Sequence, residues 1–276
     1  MAWPLKTLKQ NNLRLRVISG AILLPFALGV VWLGGWWFAV VIAVASGGMC
    51  VEWTRLSAGG DNKLISMAIA CIAVVAILFL QFGHSSTSVG IVCVGTLVIW
   101  FWSKFRKIAD SAITTFCLPY IASAGMAMVW LRNWNEDGFL TVVFLLCVVV
   151  AMDIGAYIVG RTFGGPKMAP RISPGKTWSG LIGGALCAGG VAFAMAILFN
   201  KNPALIYALA GSALGLLAQC GDLVESALKR RYGVKDSGAI IPGHGGLLDR
   251  FDGFLTVFPT AGLMIWLLNG SSVTWL

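Results

Sequence analysis

Long uninterrupted apolar runs constrain this chain more than any other feature, because a bilayer core roughly 30 Å thick needs about 20 apolar residues for each crossing helix. We read nine such runs, at Val17–Leu33, Trp36–Trp53, Leu64–Phe82, Val89–Ser103, Ile113–Leu131, Phe139–Gly160, Trp178–Phe199, Ala204–Leu228 and Gly253–Asn269. The first two are parted only by Gly34 and Gly35. With 58% hydrophobic and 11% charged residues, the composition excludes a soluble domain built round a single core. The expected fold is therefore all-α: a polytopic integral membrane protein of about nine transmembrane helices. Residues 1–276 read as a single transmembrane domain, since no period of repeat length recurs.

The basic residues test that count independently, because cytoplasmic loops retain Lys and Arg. With the N-terminus inside, eighteen of the 20 Lys and Arg fall on the cytoplasmic side, and only Arg132 and Lys201 fall outside. The loops after the sixth and eighth runs are then cytoplasmic and the C-terminus is not. The positive-inside bias and anionic headgroups account for the net charge of +9, so no nucleic-acid partner is expected. The N-terminal basic stretch and apolar run lack a small-residue cleavage site and read as a first helix. All seven Cys lie in apolar runs with no CxxC pair, as small buried hydrophobes would. Glu52, beside Trp53, reads as an interfacial residue.

Ionisable residues gather in the second half, about residues 139–256, which we take as the catalytic half. Asp153 sits inside the sixth run, where a charge near mid-bilayer costs about 2.5 to 3.5 kcal/mol. Helical spacing puts it on one face with Tyr157 and Gly160, directed at a bundle interior. The following loop ends in Gly175-Lys176-Thr177, yet Pro170 stands where a Walker A motif needs Gly, and a spanning helix precedes it instead of a strand. Lys167, Arg171 and Lys176 still supply charge for phosphate, and Ser173 before Pro174 is the expected cap of a helix starting near Lys176.

The eighth run ends with Asp222, Glu225 or Ser226, and Lys229 along one helical face. Beyond it, Asp249 and Asp252 flank Arg250 where the last run begins, so two carboxylate-bearing helix ends could converge on one divalent cation. Between them, Pro242-Gly243-His244-Gly245-Gly246 permits tight turns and close approach of backbone N–H groups to phosphate. Carboxylates for a metal, ringed by cations on a membrane face, suit phosphoryl or nucleotidyl transfer between a soluble nucleotide and a lipid. Residue chemistry alone does not name either substrate.

The stretch Ser226 to Asp252 closely resembles the signature of the phosphatidate cytidylyltransferase (CDP-diacylglycerol synthase) family. The resemblance runs through Ser226, Leu228, Lys229, Arg230, Lys235, Asp236, Gly238, Ile241, Pro242, His244, Gly245, Gly246, Asp249, Arg250 and Asp252. The segments Asp153 to Gly164 and Ser173 to Thr177 are also similar to that family, whereas the first 130 residues match only in hydropathy and the Glu52-Trp53 pair. Ser179 departs from it, standing where an acidic residue is expected. The resemblance implies Mg²⁺-dependent transfer from CTP to phosphatidate, giving CDP-diacylglycerol and pyrophosphate for phospholipid biosynthesis. It also implies a homodimer in the cytoplasmic (inner) membrane of a bacterial-type cell, with the N-terminus and active site cytoplasmic.

On that reading Asp222 and Asp249 are the metal ligands, with room for a second, monovalent cation, and Asp252 and Asp153 support them. Lys176, Lys229, Arg230, Lys235 and Arg250 bind phosphates and stabilise the transition state. Ser173, Thr177, Ser226, Asp236 and His244 are expected to make polar contacts with substrate. Two rivals fit the same residues: a CTP-dependent lipid kinase, which would move the γ-phosphoryl group, and a cation-coupled transporter using Asp153 and Asp222 as a relay.

Overall fold

The computed structural model describes residues 22–23, 25–58, 62–134, 136–238 and 245–267. The chain is almost wholly helical: α1 (residues 25–33), α2 (Gly35–Ser57), α3 (Lys63–Gln81), α4 (Ser85–Phe105), α5 (Ser111–Asn133) and α6 (Gly138–Phe163) precede a small hairpin. The hairpin pairs β1 (Lys167–Ala169) antiparallel to β2 (Ser173–Thr177), with Lys167 opposite Thr177 and Ala169 opposite Ser173. Then come α7 (Trp178–Leu198), α8 (Ala204–Arg231), the one-turn α9 (Leu248–Phe251) and α10 (Phe254–Leu267).

Among the described residues, seven helices, α2 to α8, are long and apolar enough to cross a membrane. The expected count of nine is not reached on these residues. The first expected span, Val17–Leu33, begins outside them, and the last, Gly253–Asn269, runs beyond them, leaving the 14 residues of α10. At 1.5 Å per residue α10 covers about 21 Å, short of a full bilayer core.

Side-chain bonds between loops show how the ends of the bundle are sorted. At one end Arg231 reaches Asp110 at 2.8 Å, Arg230 reaches the Ile172 carbonyl at 3.3 Å, and the backbone of Leu247 and Leu248 reaches Glu52. The loops after α2, α4, α6 and α8 therefore share that end. At the other end Asn133 donates to Gln81 at 2.7 Å and Lys201 pairs with Asp137 at 3.6 Å, joining the loops after α3, α5 and α7. This is the alternation that the distribution of basic residues requires.

Helices α6, α7 and α8 form one closely packed group, and α2, α3, α4 and α5 another, with α10 laid against α5 and α8. Without a hydrophobic drive between helices in lipid, close approach through small residues sustains such packing. Gly184 on α7 shows how close: a Cβ there would lie 2.7 Å from the Met152 carbonyl oxygen and 2.8 Å from its sulfur. Large apolar side chains such as Val44, Leu97, Phe101, Ile182 and Leu186 face outward, as lipid-facing positions do. The cysteines correct the expectation of general burial: Cys50 and Cys117 are buried, but Cys71, Cys93, Cys187 and Cys220 are exposed on apolar helix faces. All seven are free thiols.

Candidate active site

Helix α8 places Asp222 and Glu225 one turn apart on one face, and the turn between α9 and α10 brings Asp252 against them. One carboxylate oxygen from each of these three residues lies within 4.8 Å of the others. Gly221 makes that approach possible, since a Cβ there would run into the Asp252 carbonyl oxygen and lie 2.8 Å from Thr256 Oγ1. Burial and the facing carboxylates of Asp222 and Asp153 push the Asp252 carboxyl up to about 7, although the Gly253 N–H bond and Lys176 oppose them. Ser226 donates to Asp222 Oδ1 at 3.1 Å, holding that carboxylate on the shared face.

Asp249, expected to pair with Asp222 as a metal ligand, stands beside this group rather than within it. Its Oδ1 receives Lys229 Nζ at 2.7 Å and the Ser237 N–H at 3.3 Å, while Oδ2 receives the N–H groups of Ser237 at 3.1 Å and Gly246 at 2.8 Å. Burial raises its carboxyl, but the neighbouring Glu225 and Lys229 side chains and the Gly246 N–H outweigh it, holding Asp249 at about 2. Donors already surround both oxygens, so its local task is to fix the turn and Lys229. Lys229 also pairs with Glu225 Oε2 at 2.7 Å and bridges the two acids.

Asp153 meets the cleft from α6 by accepting from Gln219 Nε2 at 3.2 Å, but it is exposed, as is Tyr157 on the same face, which corrects the expectation that this face is directed into the bundle interior. The hairpin delivers Lys176 to the same place: its ammonium is 2.6 Å from Asp222 Oδ2 and 3.5 Å from the Gln219 carbonyl. Ser173 does not cap a helix, since it lies in β2; Thr177 does so instead, its hydroxyl accepting from the Gly180 N–H at 3.1 Å. Thr177 is buried, and besides that cap its hydroxyl lies 3.1 Å from Ser179 Oγ. Ser179 donates to the Gly164 carbonyl, so the hydroxyl at this departure from the family pattern ties the start of α7 to the end of α6.

The remaining expected residues lie on the outer part of this end. Arg230, Lys235, Asp236 and Arg250 are exposed, and Arg230 donates to the carbonyls of Ile172 and Val234. His244 lies outside the described residues, with Pro242 and Gly243. Glu225 and Gln219 join the site from α8. Glu225 is signalled by its spacing from Asp222, whereas nothing in the sequence marks Gln219. Glu52 corrects the expectation of an interfacial residue: it is buried beneath the turn before α9, where backbone N–H groups meet it.

The donor set fits a hard divalent cation. It is all oxygen, it is carboxylate-rich, and the buried Glu225 Oε1 has no hydrogen-bond partner among the described residues. Three facing carboxylates repel one another, and the two neighbouring ammonium groups each touch one of them, Lys176 at Asp222 and Lys229 at Glu225.

Comparison with known proteins identifies the family. A chain described as phosphatidate cytidylyltransferase from Brucella suis biovar 1 is 36% identical over 248 residues, 89% of this chain and 90% of its own length. One so described from Pseudomonas aeruginosa is 34% identical over 274 residues, 92% of this chain and 97% of its own. A third, from Staphylococcus saprophyticus, is 44% identical over 151 residues, covering 54% of this chain and 58% of its own. The model of the cytidylyltransferase family matches residues 14–268, nearly the whole length, and the chain belongs to that family.

Proposed function

We propose that this chain transfers the cytidylyl group of CTP to the phosphate of phosphatidate, giving CDP-diacylglycerol and pyrophosphate. The observation that carries the reading is the group of Asp222, Glu225 and Asp252, flanked by Lys176 and Lys229 at the loop-rich end of a membrane bundle in a chain of this family. A soluble nucleotide would approach that end from the aqueous side, and a lipid phosphate would meet it at the membrane surface.

Phosphatidate's phosphate is already an anionic nucleophile near neutral pH, so the reaction needs alignment and charge neutralisation more than a general base. A phosphatidate oxygen forms a bond to the α-phosphorus of CTP, and the bond from that phosphorus to the α–β bridging oxygen breaks. Pyrophosphate leaves with the electron pair. Lys176 and Lys229, each held by a carboxylate, face the charge that develops. Arg230, Lys235 and Arg250, exposed at the rim, steer the two polyanions together. Ser226 keeps Asp222 in place, and Asp153 with Gln219 closes the membrane side of the cleft. Asp222, Glu225 and Asp252 would hold Mg²⁺, which supplies positive charge to phosphoryl oxygens. A second, monovalent cation would share this acidic face. We take the working unit to be a homodimer in the bacterial cytoplasmic membrane, with this end inside the cell.

Purified protein in detergent, given phosphatidate and CTP labelled at either the α or the γ phosphorus, tests the reading. The α label should enter the lipid phase and the γ label should leave as pyrophosphate. Transfer of the γ label to lipid would make the chain a kinase, and no transfer of either label would leave transport as the reading. Cross-linking in native membranes tests the dimer.

A further inference from the structure

We propose that Glu52 is a positioning residue for this reaction, acting through the turn that carries Asp249 and Lys229. The inference rests on the reading of the cleft as the cytidylyl-transfer site. Glu52 is 1% exposed, and it accepts from Leu247 N at 3.0 Å, Leu248 N at 2.9 Å and Ser237 Oγ at 3.2 Å. A carboxylate is held in such a place by charge-assisted bonds, and the bonds formed here are to the segment that enters the site.

The geometry links Glu52 to the chemistry by a short path. The consecutive N–H groups of Gly246, Leu247 and Leu248 are divided between two acids: the first goes to Asp249 and the next two to Glu52. Ser237 joins the same acids from the other side of the turn, giving its N–H to Asp249 and its hydroxyl to Glu52. Glu52 is thus one residue removed from the carboxylate that holds Lys229, although 195 positions separate it from Leu247 in sequence.

Two glycines of the signature show that the fit is tight. A Cβ on Gly246 would lie 2.7 and 2.8 Å from the two Glu52 carboxylate oxygens, and one on Gly238 would run into Oε1. Both glycines leave room for this side chain. Its own position is firm, because Trp53 donates to the Ile113 carbonyl at 3.0 Å and Thr54 to Ser66 Oγ at 2.7 Å on the same helix turn.

Glutamine at position 52 keeps the shape but has only one acceptor oxygen, so one of the two backbone N–H groups would meet an amide NH₂. The test uses full-length protein in detergent, comparing Glu52→Gln, Ser237→Ala and Asp249→Asn with the parent. It reads kcat, the KM values for CTP and phosphatidate, and hydrogen exchange over residues 245–251. For Glu52→Gln, kcat should fall roughly 10- to 100-fold, the loss expected when reacting groups shift by about an ångström. Both KM values should hold, and the amides of that segment should exchange faster while α8 keeps its protection. Ser237→Ala should show the same pattern more mildly.

Parent-like kcat with unchanged exchange in Glu52→Gln would overturn the proposal, as would a loss of activity with no faster exchange of the segment. If Glu52→Gln does not insert, Ser237→Ala decides: a kcat-only loss with faster exchange supports the proposal, and parent behaviour overturns it. An inactive Asp249→Asn beside an active Glu52→Gln would sink this inference alone. An active Asp249→Asn would overturn the inference too, because Glu52 acts through the turn that this carboxylate fixes, whereas the site reading itself fails only if Asp222→Asn and Asp252→Asn keep parent activity.

Discussion

Lys229 touches Glu225 Oε2 and Asp249 Oδ1 at 2.7 Å each, so a single cation sits between an acid of the carboxylate group and the acid that fixes the turn. This division of labour among the acids can be measured. Asp222→Asn, Glu225→Gln and Asp252→Asn should each raise the Mg²⁺ concentration needed for half-maximal activity, because an amide removes charge that a hard cation requires. Asp249→Asn should lower kcat by a comparable or larger factor without moving that concentration. Magnesium titration of the four purified variants checks this, and a shift in Asp249→Asn alone would restore it as a ligand. Lys229→Ala should depress turnover strongly, by several kcal/mol of lost transition-state stabilisation, whereas Lys167→Ala on the hairpin should matter much less. Spacing showed that Asp222, Glu225, Asp249 and Asp252 were available at adjoining helix ends. It could not show which of them backbone donors would occupy, because the N–H groups of Ser237 and Gly246 exist whatever the side chain.

The elements themselves divide by how much their own sequence dictates. Helices α2 to α8 are legible because bilayer thickness sets a length that hydropathy reports directly, and their bounds lie within a few residues of the apolar runs. The hairpin was not legible: β1 and β2 are too short for a period, and its turn chemistry reads equally well as a cap. Thr177 is the hinge between hairpin and helix, so Thr177→Val should cost about 1 kcal/mol through the lost cap and also displace Lys176. Thermal denaturation in detergent and the KM for CTP read the two effects separately. Packing of α6 on α7 carries its own prediction. Gly184→Leu should destabilise the bundle by about 1 to 3 kcal/mol or more, the usual range for overpacking, since α6 backbone lies against that position. A stability equal to the parent would show that the two helices do not approach so closely.

At the scale of the molecule, four loops from both halves of the chain meet at one end of the bundle, and the acids and cations of the site lie there. The division of basic residues anticipated which loops share an end, since it depends on how α2 to α8 alternate across the bundle. The contribution of the first half was hidden, because Glu52 meets the site through backbone groups far away in sequence. If this end performs cytidylyl transfer, it must face the side where CTP is found. Proteoliposomes containing phosphatidate and a cysteine-free protein with a single Cys at position 170 test it most directly. The orientation is read by an impermeant thiol reagent, and α-labelled CTP is supplied to one face at a time. Label should enter lipid only when CTP is on the face where the hairpin cysteine reacts; label appearing only with CTP on the opposite face, or from neither, would contradict the account.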